Sequence, residues 1–268
     1  MTYVNSELHD MNSETTKNQP RRAVVTGAGN GLGLAIARKF TSNGASVLLV
    51  DCDPVVLSRA QEREFCLTNS HALVCDLAEP DAASKVFREV SKHLGTADIL
   101  INNAAWSFHK PLLEVTLDEF ERLVAINQRA PYFLAQEFLR QIVHTEHKPK
   151  DASIVNVASV NALAGNPNLV AYAGTKGALV AMTRALAVEM KDIPVRVNCI
   201  CPGAVKTFVT SNLIDSGVID PPKLFEPYLI KRFASCEEIA ELVAYLCSPV
   251  ASFVTGANRE IDGGYLAR

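Results

Sequence analysis

Tyr172 and Lys176 are the first and last residues of Tyr172-Ala173-Gly174-Thr175-Lys176. On a helix, residues i and i+4 share a face, so this spacing projects a phenol and an ammonium into one space. That pairing bears on proton transfer. Tyrosine has a reference pKa of ~10 and is a poor base at neutral pH. A nearby cation favours the phenolate. A downward shift of ~2–3 units corresponds to roughly 3–4 kcal/mol of differential stabilisation. Ser159 stands upstream, just beyond the apolar run Ile154-Val155-Asn156-Val157. Ligands of parallel sheets bind outside the carboxyl ends of the strands, which puts this hydroxyl at the same edge. By itself the Tyr–Lys spacing also describes an ordinary helix surface; its company gives it meaning.

The second chemical feature is Thr26-Gly27-Ala28-Gly29-Asn30-Gly31-Leu32-Gly33, between an apolar run at Ala23-Val24-Val25 and a helical pattern at 31 to 43. A helix N-terminus offers unpaired N–H groups and a positive dipole end to a pyrophosphate. Glycines let the backbone turn tightly and approach the ligand. The strict G-x-G-x-x-G pattern does not fit, because Leu32 and Leu34 stand where its last glycine would be, and the P-loop pattern fails because no Gly-Lys-Ser/Thr follows. Asp51 ends the next apolar run. A carboxylate there accepts hydrogen bonds from the adenosine ribose and repels a 2′-phosphate. No Arg or Lys occurs in Gly27–Gly33 or Asp51–Asp53 to offset that repulsion. The expected cofactor is therefore NAD rather than NADP. The plain alternative is that Asp51 caps a turn with Asp53-Pro54.

Three further groups sit at strand or helix positions: Asn102-Asn103-Ala104-Ala105, Asn127, and Pro202-Gly203. With these in place, the chain from about residue 22 to 264 resembles the short-chain dehydrogenase/reductase family. The glycine motif matches, as do Asn127, Ser159, Tyr172 and Lys176; Ala105 departs from the glycine usual in the Asn-Asn-Ala-Gly motif. The resemblance implies that Tyr172 exchanges a proton with the substrate oxygen while Ser159 orients it. It implies that Lys176 binds the nicotinamide ribose and lowers the Tyr172 pKa, and that Asn127 holds a water linking Lys176 to solvent. It further implies that Gly27, Asn30, Gly31, Leu32 and Gly33 cradle the dinucleotide with Asp51. Asp76 and Leu77 flank the adenine, and Asn103 and Ala104 the adenosine ribose. Pro202, Val205 and Thr207 fix the nicotinamide, Thr207 reaching its carboxamide. The implied reaction is reversible hydride transfer between NAD and a small secondary alcohol or ketone. Two alternatives stay open: an NADPH-dependent reductase of 3-oxoacyl thioesters, and a cofactor-sensing protein without turnover.

The elements that must position these groups follow from periodicity. Strands are expected at 23–25, 47–50, 72–75, 99–101, 154–157, 195–200 and 259–261. Helices are expected near 31–43, 54–64, 80–94, 116–145, 171–191 and 236–247. Continuous apolar strands separated by helices predict an α/β fold, a single-domain doubly wound parallel β-sheet flanked by helices, Rossmann-like. Ser235-Cys236-Glu237-Glu238 reads as a capping box. Pro131 stands four residues beyond Asn127. It has no N–H to return to the Asn127 carbonyl, so a kink is expected there. Residues 1–20 read as a flexible tail and 21–268 as one catalytic domain. Residues 208–233, with three prolines and no sustained period, read as a substrate loop.

Composition removes other classes. A net charge of −3 provides no basic field for nucleic acid. No apolar run approaches a membrane span. The seven cysteines show no C-x-x-C pair, which fits reduced thiols and a cytoplasmic setting. His144 and His147 could share a helix face, but no carboxylate cluster joins them, so no metal is expected. Trp106 and His109 are candidates to line the substrate pocket. Helices 116–145 and 171–191 are apolar over more than one face, through Phe120, Leu123, Val124, Phe133, Phe138, Leu179, Met182 and Leu186. The excess predicts a subunit interface, and the resemblance implies a homotetramer.

Overall fold

A computed structural model describes residues 20–64, 69–145, 149, 151–215, 217 and 220–267. Cys66, His147 and residues 1–19 of the expected tail lie outside them. Seven strands form one parallel sheet in the order β3-β2-β1-β4-β5-β6-β7. They are β1 Arg22–Thr26, β2 Ser46–Asp51, β3 Ser70–Val74, β4 Ile99–Asn102, β5 Ala152–Val157, β6 Val195–Pro202 and β7 Asn258–Ile261. The helices are α1 Gly31–Ser42, α2 Pro54–Glu64, α3 Ala82–His93, α4 Leu117–Val124, α5 Ala130–His144, α6 Val170–Glu189, α7 Phe208–Asp215, α8 Pro221–Phe225 and α9 Cys236–Cys247.

Period-two alternation sorts the strand residues onto two cores. Val25, Leu49, Ile101, Val155 and Ile200 face one side, beneath Ile36, Phe40, Ile239 and Val243 of α1 and α9. Val24, Leu48, Leu100, Ile154 and Val197 face the other, against Val86, Phe87, Leu134 and Phe138 of α3 and α5. Both faces are covered, which is why the strands read as unbroken apolar runs. A fully buried Val, Leu or Ile contributes roughly 1.5–3 kcal/mol. The order reverses between β1 and β4, so their carboxyl ends open a crevice with no crossover above it.

Three expectations need correction. The strand placed at 72–75 is β3, Ser70–Val74; its apolar signal is short, but pairing with β2 from Val47↔Ser70 to Asp51↔Val74 sets its span. The single helix expected over 116–145 is three pieces. Thr116 and Glu119 form a capping box at its start, α4 ends at Val124, and a π-helical turn at Ala125–Arg129 leads into α5. Pro131 lies at the start of α5; the distortion sits where its missing N–H and ring disfavour a regular α-helix. The 208–233 segment is not uniformly irregular: α7 and α8 lie within it.

The capping box at Ser235 forms as read, with Ser235 and Glu238 each accepting from the other's backbone N–H. The apolar excess on the long helices divides. Leu123, Phe138 and Leu179 enter the core, whereas Phe120, Phe133, Leu117 and Tyr132 are exposed. Among the described residues, no helix is long and apolar enough to cross a membrane.

Candidate active site

The glycine loop leaves β1 and turns into α1. Gly27 and Gly31 have φ of +63° and +51°, the left-handed region that disfavours a side chain. A Cβ on Gly33 would lie 2.0 Å from the Gly27 carbonyl oxygen, so only glycine lets α1 start this close to the strand. Asn30 is the N-cap of α1 and makes no side-chain cap bond. The Asn30 side chain thus does not occupy the first N–H groups of the helix, which begins at Gly31 and Leu32. Thr207 approaches from beyond β6, within 3.6 Å of a Cβ built on Gly31. Two motifs distant in sequence therefore border one slot.

Asn103 and Ala104 support this loop from β4. Both backbone N–H groups donate to Thr26 Oγ1 at 3.0 Å, and Asn103 Nδ2 donates to the carbonyls of Thr26 and Gly27. Asp51 Oδ2 accepts from the Gly29 N–H at 2.9 Å and Oδ1 from Asp53 at 3.1 Å. The carboxylate does serve the local turn, and it stands at the rim of the glycine loop. Asp76 accepts from the Ala78 N–H and pairs with Arg122 at 3.1 Å. Leu77 is buried beneath it. Arg129, in the π turn, donates to the Ala78 carbonyl and ties this loop to the helix. Pro202 ends β6, Val205 bridges to Ala234, and Thr207 Oγ1 accepts from the Thr210 N–H in the first turn of α7. A cradle closed to side chains, uncapped helix N–H groups and a carboxylate at the second strand's end fit a dinucleotide.

Ser159, Tyr172 and Lys176 meet at the carboxyl ends of β5 and β6. Ser159 has extended backbone and caps a short 3-10 turn at Val160–Ala162. Tyr172 lies in the first turn of α6, and the Lys176 Nζ lies 5.7 Å from its ring centroid. Lys176 is only 2% exposed, and its ammonium donates to the Val157 carbonyl at 2.7 Å. Burial pushes its pKa down to about 8, partly opposed by the thiols of Cys199 and Cys201. Burial pushes the Tyr172 phenol up to about 12, with the Ser159 hydroxyl working in the opposite direction. The expected downward pull by Lys176 is not what dominates in this geometry. Desolvation outweighs it, because the ammonium is turned toward a strand carbonyl.

Asn127 is fully buried in the π turn. Its Oδ1 accepts from the Trp106 N–H at 2.8 Å, and its Nδ2 donates to the Trp106 carbonyl at 2.8 Å and to Thr175 Oγ1 at 3.2 Å. Thr175 in turn donates to the Tyr172 carbonyl at 2.9 Å. The amide thereby joins the loop after β4 to the helix that carries the phenol. Trp106 is half-buried and packs edge-on against Phe108, while His109 is exposed. Among the described residues, no cluster of His, Cys, Asp or Glu could hold a metal.

Sequence reading passed over Thr175, Asn161, Asn166, Arg122 and Tyr265. Only Thr175 had a signal, since it lies between the two motif residues. Arg122 and Tyr265 reach the site through long-range contacts, and Asn161 and Asn166 through a turn whose side-chain directions no periodicity sets.

The comparisons with known proteins agree with this geometry. A family model described as enoyl-(acyl carrier protein) reductase matches residues 27–266. The chain is 35% identical to a meso-2,3-butanediol dehydrogenase from Serratia marcescens, over 91% of this chain and 94% of that protein. The solved short-chain dehydrogenase/reductase, glucose/ribitol dehydrogenase, of Brucella melitensis superposes with a TM-score of 0.83 at 33% identity, covering 91% and 96% of the two chains. A 3-ketoacyl-(acyl-carrier-protein) reductase from Brucella melitensis, complexed with NADH, gives a TM-score of 0.83 at 31% identity, covering 91% and 98%. This chain therefore belongs to the short-chain dehydrogenase/reductase family of NAD(P)-binding, Rossmann-fold oxidoreductases.

Proposed function

We propose that this protein transfers hydride reversibly between NAD and a small secondary alcohol or ketone, with Tyr172 exchanging the proton. One observation carries the reading: the Tyr172 phenol, the Ser159 hydroxyl and the buried Lys176 ammonium converge beside the sheet's switch-point crevice. When bound there, NAD supplies the hydride acceptor and, in its oxidised form, a positive charge near the phenol. The protein's own groups do the rest. Ser159 holds the substrate oxygen against the phenol. Tyr172 takes the hydroxyl proton during oxidation and returns it during reduction. Lys176 adds a cation that favours the phenolate once its ammonium turns from the Val157 carbonyl. Asn127 keeps Trp106 and α6 in register, and the Pro131 position leaves its carbonyl without an i+4 donor for a relay water.

The test is a panel of secondary alcohols, diols and hydroxy acids with purified protein and NAD, followed at 340 nm. Turnover of at least one member is expected. No turnover with any member, together with a Tyr172→Phe variant that keeps the protein's biological effect, replaces this reading with the sensor reading.

Asp51 favours NAD over NADP and so favours this reading over a 3-oxoacyl-thioester reductase using NADPH. Its carboxylate would face a 2′-phosphate with no cation in the adjoining loops. The wild type is expected to bind NADH at least about 10-fold more tightly than NADPH. Asp51→Ser is expected to erase most of that difference, read by titrating nucleotide fluorescence. Equal binding of both nucleotides by the wild type rules out the assignment.

Gly33→Ala is expected to weaken NADH binding at least about 10-fold, because the new methyl would meet the Gly27 carbonyl and the Asn103 amide. Unchanged NADH binding by a folded Gly33→Ala variant would remove the glycine loop from the nucleotide site.

We also propose a homotetramer. Leu117, Phe120, Tyr132, Phe133 and Val170 of α4, α5 and α6 are exposed, and large apolar side chains exposed on neighbouring helices suit a subunit contact. Sedimentation as a monomer at micromolar concentration contradicts it.

A further inference from the structure

The Ser159 hydroxyl has two neighbours that decide which way its proton points. Ser159 Oγ accepts from the Asn161 backbone N–H at 3.2 Å and from Asn161 Nδ2 at 3.3 Å. A serine hydroxyl has two acceptor lone pairs and one proton. Both lone pairs are engaged, so the proton is left to be donated, to the Tyr172 phenol beside it or to a substrate oxygen placed between them.

The amide that does this is itself held by a second amide. Asn161 Oδ1 accepts from Asn166 Nδ2 at 2.6 Å, and Asn166 Oδ1 accepts from the Tyr265 hydroxyl at 3.1 Å. Turning one amide alone would set donor against donor, or acceptor against acceptor. Tyr265 is fixed by contact with the Tyr228 ring, 4.9 Å away, and the Tyr228 hydroxyl accepts from the Ala204 N–H. The turn carrying Tyr265 is tied by Asp262, which accepts from the N–H groups of Gly264 and Leu266. A polar chain therefore runs from the C-terminal segment through two amides to the serine.

We propose that Asn161 is a positioning residue that presents Ser159 as a hydrogen-bond donor to the reacting substrate oxygen, with Asn166 and Tyr265 holding the amide in place. This rests on the alcohol/ketone reading above. It assigns the residue a polarity rather than a shape. In the ketone direction, a donated proton polarises the carbonyl. In the alcohol direction, it stabilises the developing oxyanion. A serine free to rotate would spend part of its time as an acceptor and lose that effect.

The test compares Asn161→Asp with Asn161→Ala in the full-length protein, using whichever alcohol the wild type oxidises. Asp has the shape of Asn but presents an acceptor to Ser159, drawing the serine proton away from the substrate. Ala removes one donor and leaves the backbone N–H in place. The expected order is a loss in kcat of about 100-fold for Asn161→Asp and about 10-fold for Asn161→Ala. The KM for NAD and the melting temperature stay close to wild type. A purely steric role predicts the reverse order, with the isosteric Asp milder than Ala. Tyr265→Phe, which removes only the last hydrogen bond, is expected to lower kcat about 2- to 5-fold without changing the KM for NAD.

Asp milder than Ala, or kcat within twofold of wild type for both Asn161 variants, overturns the proposal while the alcohol/ketone reading stands. If the Asn161 variants do not fold, an unchanged kcat in Tyr265→Phe overturns it. A wild type without turnover on the whole alcohol panel overturns the underlying reading and this proposal together.

Discussion

Tyr172→Phe is expected to lower kcat by about 10²- to 10⁴-fold, the range general acid–base catalysis contributes, while NADH binding stays within about twofold. The variant keeps the ring that packs at the start of α6 and deletes only the phenolic oxygen. That oxygen sits beside Ser159 and within reach of Lys176, the position from which a proton can pass to a bound alcohol. Hydride transfer without proton transfer leaves an oxocarbenium-like or alkoxide charge unbalanced in the pocket. The loss therefore falls on kcat and not on the nucleotide. The measurement is steady-state NADH production at saturating NAD, with nucleotide fluorescence titration of the same variant. A kcat within tenfold of wild type would remove the phenol from the chemistry and leave Ser159 and bound water to account for it.

The second large effect concerns the opposite end of the sheet. Arg196→Leu is expected to cost about 3 kcal/mol of stability, as the loss of several charge-assisted hydrogen bonds to a half-buried carboxylate and buried carbonyls does. In a chain of this size that corresponds to a fall in melting temperature of roughly 10 °C. Arg196 is 7% exposed. Its Nε donates to Asp151 Oδ1 at 2.9 Å, and its Nη atoms donate to the carbonyls of Leu246, Ala251 and Ser248 at 2.6, 3.1 and 3.1 Å. Asp151 is also paired with Arg21. Leucine fills the volume but leaves these carbonyls and half of the carboxylate's partners without donors. Arg196→Lys is expected to recover less than half of the loss, because an ammonium cannot reach a carboxylate and several carbonyls at once. Thermal unfolding followed by circular dichroism checks both. Folded Arg196→Leu protein is expected to keep its kcat, since the network lies at the amino ends of β5 and β6, away from Ser159 and Tyr172. A melting temperature within about 2 °C of wild type would show that the network contributes little.

The two effects separate cleanly because a parallel sheet has two ends. Strand carboxyl ends carry the glycine loop, Ser159 and the Pro202 segment. Strand amino ends carry the Arg21–Asp151–Arg196 network and the Arg22–Asp98 pair, at 2.8 Å. Chemistry and structural pinning are thereby placed on opposite edges.

Features set by regular spacing along the chain were legible in the residues themselves. The unbroken apolar runs specified buried parallel strands, because both faces of each strand must meet a helix. The glycines at 27, 31 and 33 were legible, because backbone conformation and close approach are properties of single residues. The Tyr172–Lys176 pair was legible because one helical turn fixes their common face. The tertiary structure alone decided where the remaining hydrogen bonds go. Asn127 finds Trp106, Asn161 orients Ser159 with help from Tyr265, and Arg196 gathers carbonyls at and beyond the end of α9. No local period encodes such contacts: most join groups brought together only when the strands pair and the helices pack, and the short Asn161–Ser159 contact is tied in turn to the distant Tyr265. The same is true of the π turn before Pro131 and of the direction of the Lys176 ammonium. Both are settled by what the surrounding elements leave unsatisfied.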